Sequence, residues 1–353
     1  MIGNIQALRA MAALLVLVIH VMSTNKGISE TLNAATFEYW WIGNVGVDIF
    51  FVISGFIVSH AANKSCEKHG TGFKVAAVFM LRRIARIYPV YWIVLLFSFV
   101  FGGYLVLAPD WLPQVETWRL ITLSTTVNYK VMLAWTLAYE MLFYCILVAI
   151  IALPGNRFRY WLAGLVALHS TVIAGVALTG QEYWRSSILL SPMLLHFYAG
   201  CALFFLVRSR VEVNALILLF LSFLFFLLGM IGNRLWGNWE PPARALFFAV
   251  PSALLVWSVI RMERTHGLIL PMWLQRIGDS SYSLYIWHQF LLACLYAFFL
   301  RYGLFAALHW SLLLSIWAGL VICAGWFSYR VIEKPSMEWA NAIISRIDLE
   351  VKK

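Results

Sequence analysis

The sequence predicts an all-α, polytopic integral membrane bundle of about ten transmembrane helices with both termini cytoplasmic. Three observations carry this. The first is composition: of 353 residues, 62% are hydrophobic and only 12% charged, with a mean hydropathy of +0.82. Soluble domains carry about 25% charged residues, so this chain cannot cover a water-facing surface. The second is the recurrence of apolar runs of about 20 residues, the length that crosses a bilayer. They lie near 5–23, 41–60, 87–107, 133–153, 160–179, 187–207, 213–231, 244–260, 281–300 and 309–330. The third is the placement of basic residues in the loops between them. Eighteen Lys and Arg fall on one side, seven on the other, and Arg9 lies inside the first run. Short loops rich in Lys and Arg stay in the cytoplasm, which fixes the orientation. The same pattern accounts for the net charge of +10 without nucleic acid.

Residues 1–335 read as one transmembrane domain and 336–353 as a short cytoplasmic C-terminal tail. The longest stretches outside apolar runs, about 61–86 and 108–132, are too short for an independent core. The first apolar run lacks a basic segment before Arg9 and a small-residue cleavage site, so it is expected to be a retained span. The second is interrupted by "GNVGVD" and is expected to start as a broken or half-inserted segment. The five cysteines are scattered with no CxxC pair, so neither a disulfide framework nor a metal site is expected.

Ionisable groups inside spans are costly and mark candidate functional positions. In "RAMAALLVLVIH", ten residues separate Arg9 from His20. That is three helical turns, so both share one face, roughly 16 Å apart along the axis. Asp48, in "GNVGVDIFFVISGF", needs a cationic or hydrogen-bonding partner among apolar neighbours, and Arg9 and His20 both offer one. In the same segment Ser54 and Gly55 permit close helix approach. Arg82, Arg83 and Arg86, in "LRRIARIYPVYW", stand at the cytoplasmic edge of the third span, Arg82 and Arg86 one turn apart. They suit either topology anchoring on anionic lipid or a phosphate clamp, since guanidinium forks match phosphate oxygens. Glu140, in "WTLAYEMLFY", lies at a depth comparable with His20, and a carboxylate beside an imidazole can orient it for general-base work. His288, in "IGDSSYSLYIWHQF", reads as a structural or substrate-lining group, and Pro335 in "YRVIEKPSMEW" as the end of the last span.

Taken in order, these segments resemble the membrane acyltransferase-3 family of integral O-acyltransferases acting on bacterial surface polysaccharides. The resemblance rests on Arg9 and His20 with their spacing, "GVDIFFVISGF", "RRIARIYPVYW", "WTLAYEMLFY", "SYSLYIWH" and "EKP". It implies a multi-pass protein of the bacterial cytoplasmic membrane. It also implies transfer of an acyl group, usually acetyl, from cytoplasmic acyl-coenzyme A to a sugar hydroxyl on the far side. Acyl-coenzyme A is then a donor substrate, no cofactor is held permanently, and the functional positions are Arg9, His20, Arg82, Arg83, Arg86 and Glu140. Some members carry a fused esterase-like domain that this sequence lacks, so the expected acceptor is a lipid-linked sugar or growing polysaccharide.

On this reading the coenzyme A phosphates bind at Arg82, Arg83 and Arg86, and the pantetheine arm passes Arg9 towards His20. His20 then acts either as general base assisted by Glu140 or as a transient acyl carrier. Tyr139 and Ser54 are candidate oxyanion donors. Trp111, Trp118, Trp236 and Trp239 suit an interfacial belt better than sugar stacking. A transporter or flippase for a saccharide or small acid explains the spans and intramembrane charge equally well, but explains the arginine cluster at the membrane edge less well.

Overall fold

A computed structural model describes residues 3–26, 30–102, 115–128, 130–180, 182, 187–209, 211–236, 241–307 and 309–350. Every regular element among them is helical. In chain order these are α1 (Gly3–Thr24), α2 (Glu30–His69), α3 (Phe73–Phe101), α4 (Thr117–Thr122) and α5 (Trp135–Ala152). There follow α6 (Phe158–Leu178), α7 (Leu194–Arg208), α8 (Ala215–Trp236) and α9 (Pro241–His266). The chain closes with α10 (Met272–Asp279), α11 (Ser281–Arg301), α12 (Trp310–Ser328), a π-turn at Tyr329–Glu333 and α13 (Lys334–Glu350). Nine helical stretches among the described residues are long and apolar enough to cross a membrane. The protein is therefore a polytopic helical membrane bundle.

The predicted run at 187–207 is the exception. Its helix, α7, has 15 residues, about 22 Å at 1.5 Å per residue, against a hydrocarbon core of about 30 Å. The cause is local. Ser191 precedes Pro192, which disfavours helical backbone at the preceding residue, and Ser191 is extended at φ −72°, ψ 127°.

Three further expectations are corrected. The second span is not broken: α2 runs continuously through Gly43 and Gly46. Gly46 instead lets α1 approach, because a Cβ there would lie 2.6 Å from the Ala12 carbonyl oxygen. The arginines Arg82, Arg83 and Arg86 do not precede the third helix. They ride on it, since α3 begins at Phe73 and carries Pro89 inside. Pro335 does not end the last span. The five-residue π-turn just before it shifts the hydrogen-bond register, and the helix continues to Glu350.

The chain divides into two compact units. One comprises Met1–Arg9, Val47–Met80 and Leu142–Gln275; the other comprises Ala10–Gly46, Leu81–Met141 and Arg276–Lys353. In the first unit the start of α1 is held by Glu263 of α9, whose carboxylate oxygens accept from Gly3 N (3.0 Å) and Asn4 N (2.7 Å). A carboxylate there satisfies free helix N–H groups and complements the helix dipole. Gly55 of α2 and Gly200 of α7 face each other so closely that a Cβ on either would collide with the opposing backbone. In the second unit α1, α11 and α12 share a core of Leu17, Val21, Leu292, Phe299, Leu313, Trp317 and Val321. α11 is also tied to the π-turn region. Ser283 Oγ donates to Glu333 Oε2 at 2.7 Å, and Trp287 Nε1 donates to Ser328 Oγ at 2.9 Å.

Candidate active site

The second unit holds His20, Arg82, Arg83, Arg86, Tyr139, Glu140 and His288. His20 Nδ1 lies 2.7 Å from the Val16 carbonyl one turn earlier on α1. A carbonyl can only accept, so the neutral ring carries its proton on Nδ1 and leaves a lone pair on Nε2. His288 repeats the arrangement, with Nδ1 2.6 Å from the Tyr285 carbonyl. It is fully buried, and its Nε2 has no hydrogen-bond partner among the described residues. The two rings meet edge to face, with centroids 4.9 Å apart at 70°. His288, expected to be structural or substrate-lining, lies directly against His20.

Glu140 enters through its helix. One turn before it, Thr136 Oγ1 lies 3.2 Å from the Tyr285 hydroxyl, and the Tyr285 ring is 5.7 Å from that of His288. A route from α5 to His20 therefore runs through Thr136, Tyr285 and His288. Tyr139, beside Glu140, is buried, with its ring 6.0 Å from Trp135. On α11 the Tyr282 hydroxyl donates to the Ile87 carbonyl at 2.6 Å. Arg82, Arg83 and Arg86 are half-buried on α3, and Arg82 Nε is buried without a hydrogen bond among the described residues.

The remaining predicted residues belong to the first unit. Arg9 is buried at 7% exposure, its Nη1 donating to Gln6 Oε1 at 2.9 Å. Ser54 is partly exposed on α2. Asp48 is completely buried, but neither Arg9 nor His20 satisfies it. Arg244 Nε donates to its Oδ1 at 2.8 Å, and His196 Nε2 lies 3.2 Å from the same oxygen. This corrects the sequence reading. Arg244 counted among the loop residues because one glutamate and two prolines precede it in "WEPPAR", yet it sits in the first turn of α9 and is 6% exposed. His196 was overlooked. As an ionisable group within "LLHFYAGC" it carried the same intramembrane signal as His20. Glu333 was read only as punctuation, yet it is 1% exposed and bonded to Ser283.

Of the aromatic candidates, Trp118 is exposed on α4. Trp111 and Trp239 lie outside the described residues, as does the Trp236 side chain.

Comparison with known proteins identifies the family. Residues 2–329 match the Acyl_transf_3 family, described as an acyltransferase domain. The exopolysaccharide production protein ExoZ of Rhizobium meliloti (strain 1021) is 29% identical over 321 residues, 87% of this chain and 93% of that protein. The acyltransferase MdmB of Streptomyces mycarofaciens is 24% identical, covering 95% of this chain and 91% of its own length. A putative O-acetyltransferase of Staphylococcus aureus (strain COL), SACOL0978, is also 24% identical over 95% of this chain, which spans 57% of that longer protein. No solved structure gives a significant match. With a family match over nearly its whole length and helices long enough to cross a bilayer many times, the chain belongs to the acyltransferase-3 family and is a multi-pass membrane acyltransferase.

Proposed function

We propose that the protein moves an acetyl group from acyl-coenzyme A to a hydroxyl of a lipid-linked sugar or exopolysaccharide. The similarity to the exopolysaccharide production protein ExoZ and to the putative staphylococcal O-acetyltransferase supports an O-acyl transfer linked to exopolysaccharide. The observation that carries the catalytic reading is the His20–His288 pair, in which each Nδ1 is engaged by a helix carbonyl. That leaves His20 Nε2 as a base with a fixed tautomer.

In the proposed step the acceptor hydroxyl attacks the thioester carbonyl carbon while His20 Nε2 takes its proton. A C–O bond forms, the tetrahedral oxyanion collapses, and the C–S bond breaks. The departing coenzyme A thiolate recovers the proton from the imidazolium. The Val16 carbonyl holds the ring in place. Glu140 assists His20 as a positioning residue. Arg82, Arg83 and Arg86 take the coenzyme A phosphates, and Arg9 keeps the donor-binding role that the family resemblance implies.

The test is incubation of purified, lipid-reconstituted protein with labelled acetyl-coenzyme A and saccharide acceptors. Transfer of label with release of coenzyme A is expected, and its loss in His20→Ala with donor binding retained. Saccharide movement without coenzyme A release would sink the enzyme reading in favour of transport. Label trapped on His20 after a rapid quench would replace the base route with an acyl-histidine.

A further inference from the structure

A second basic site lies away from the histidines, within the first unit. The ends of α7 and α9 and the chain joining α7 to α8 enclose a cleft of about 210 Å³, lined by Arg208, Arg261, Arg264, Glu212, Trp257 and neighbouring apolar residues. Its three arginines against one glutamate leave a positive balance. Two of them are only partly committed. Arg261 Nε donates to the Val213 carbonyl at 3.2 Å, which leaves its terminal nitrogens available. Arg264 is exposed and makes no hydrogen bond or ion pair among the described residues. Arg208 is held by Glu67 of α2 at 3.0 Å and stacks over Phe204. Lys64 adds a further charge, since it acts with Arg208 and Arg264 on His60 of α2.

We infer that this cleft binds the phosphate headgroup of an anionic membrane lipid. Three features favour that occupant. The arginines converge from two helix ends, so their guanidinium forks can share one phosphate. The cleft opens where membrane helices terminate, the depth of lipid headgroups, with the Trp257 indole providing an amphipathic wall. At about 210 Å³ it is below the roughly 300–1,000 Å³ of a typical cofactor pocket, which suits a headgroup better than a whole nucleotide. Basic pockets between transmembrane helices bind such headgroups. The assignment is independent of the acyl-transfer reading: it concerns lipid, not donor or acceptor.

The experiment is native mass spectrometry of the purified chain offered equimolar phosphatidylglycerol and phosphatidylcholine. The unaltered protein is expected to retain phosphatidylglycerol selectively. Arg261→Gln/Arg264→Gln is expected to bind it roughly 30-fold more weakly, as two lost basic contacts at an anionic surface imply. The control Arg330→Gln/Lys334→Gln, which alters basic residues elsewhere, is expected to match the unaltered protein. Arg264→Glu, at an exposed position, is expected to lose the adduct as well. Undiminished phosphatidylglycerol adducts in Arg264→Glu would overturn the site. Displacement of the lipid by an equal concentration of inorganic phosphate would overturn the lipid assignment in favour of a soluble phosphate.

Discussion

Each unit of the protein buries a histidine, and the two histidines have different neighbours. His196 lies 3.2 Å from an Asp48 carboxylate oxygen that already accepts from Arg244 at 2.8 Å. Its charge environment is closed: a carboxylate and a guanidinium neutralise each other, and the three residues join α2, α7 and α9. His288 has a second imidazole, His20, at 4.9 Å and a backbone carbonyl on Nδ1. That pair is held by backbone carbonyls, Val16 on the Nδ1 of His20 and Tyr285 on that of His288. Buried ionisable groups inside a bilayer are costly in both cases. In the first unit the cost is offset by an ion pair that fastens helices; in the second it is offset by local hydrogen bonds that hold a tautomer. Intramembrane charge alone therefore does not distinguish a fastener from a reactive site. The partner does.

The contrast can be broken in several ways, beginning with the largest effect. His20→Ala is expected to lower acetyl transfer by about 10²–10⁴-fold, the usual contribution of a positioned base. The double variant with His288→Ala should be little worse than His20→Ala alone, because residues acting as a unit are not additive. Full additivity of the two losses would separate His288 from the site. On the other side, Asp48→Ala strands a buried guanidinium and is expected to cost about 3–5 kcal/mol of stability. Thermal or denaturant unfolding in detergent measures this, and the folded fraction should keep its donor affinity. Asp48→Ala/Arg244→Met should recover much of the loss. A stable, inactive Asp48→Ala would move the cluster from fastening to catalysis.

His288→Phe keeps the volume and the ring contact but removes both nitrogens. A loss of up to about 100-fold in kcat with little change in KM is expected if it positions His20. Arg82→Gln should act in the opposite sense, raising the donor KM by roughly tenfold through one lost charge-assisted contact while leaving kcat nearly intact. A fall in kcat alone would remove Arg82 from phosphate binding.

Much of this was legible in the sequence, and particular residues show where it stopped. The spans were readable because burial in lipid demands continuous apolar length, and nine recur in the structure among the described residues. The shortness of α7 was also present in "SPM", since the residue before Pro192 resists helical backbone. Partnership was harder. Asp48 plainly needed a cation, but nothing local distinguishes Arg9 on α1 from Arg244 on α9, because only packing decides which one arrives. His20 and His288 each stood out as intramembrane histidines, yet they lie on helices far apart in the chain, and no periodicity along one helix reports contact with another. The π-turn before Pro335 was equally hidden, because a proline reads as a stop unless the preceding turn widens to release its missing N–H.

The most direct test is the rate of coenzyme A release, coupled to labelled acceptor, measured from pH 5 to 8 under conditions where chemistry limits turnover. A base must be neutral to take a proton. The rate is therefore expected to be low in acid and to rise to a plateau once His20 is unprotonated. That rise should vanish in His20→Ala. A rate that falls as pH rises across the range, or a His20→Ala protein that releases coenzyme A as fast as the unaltered one, would contradict a histidine base at this site.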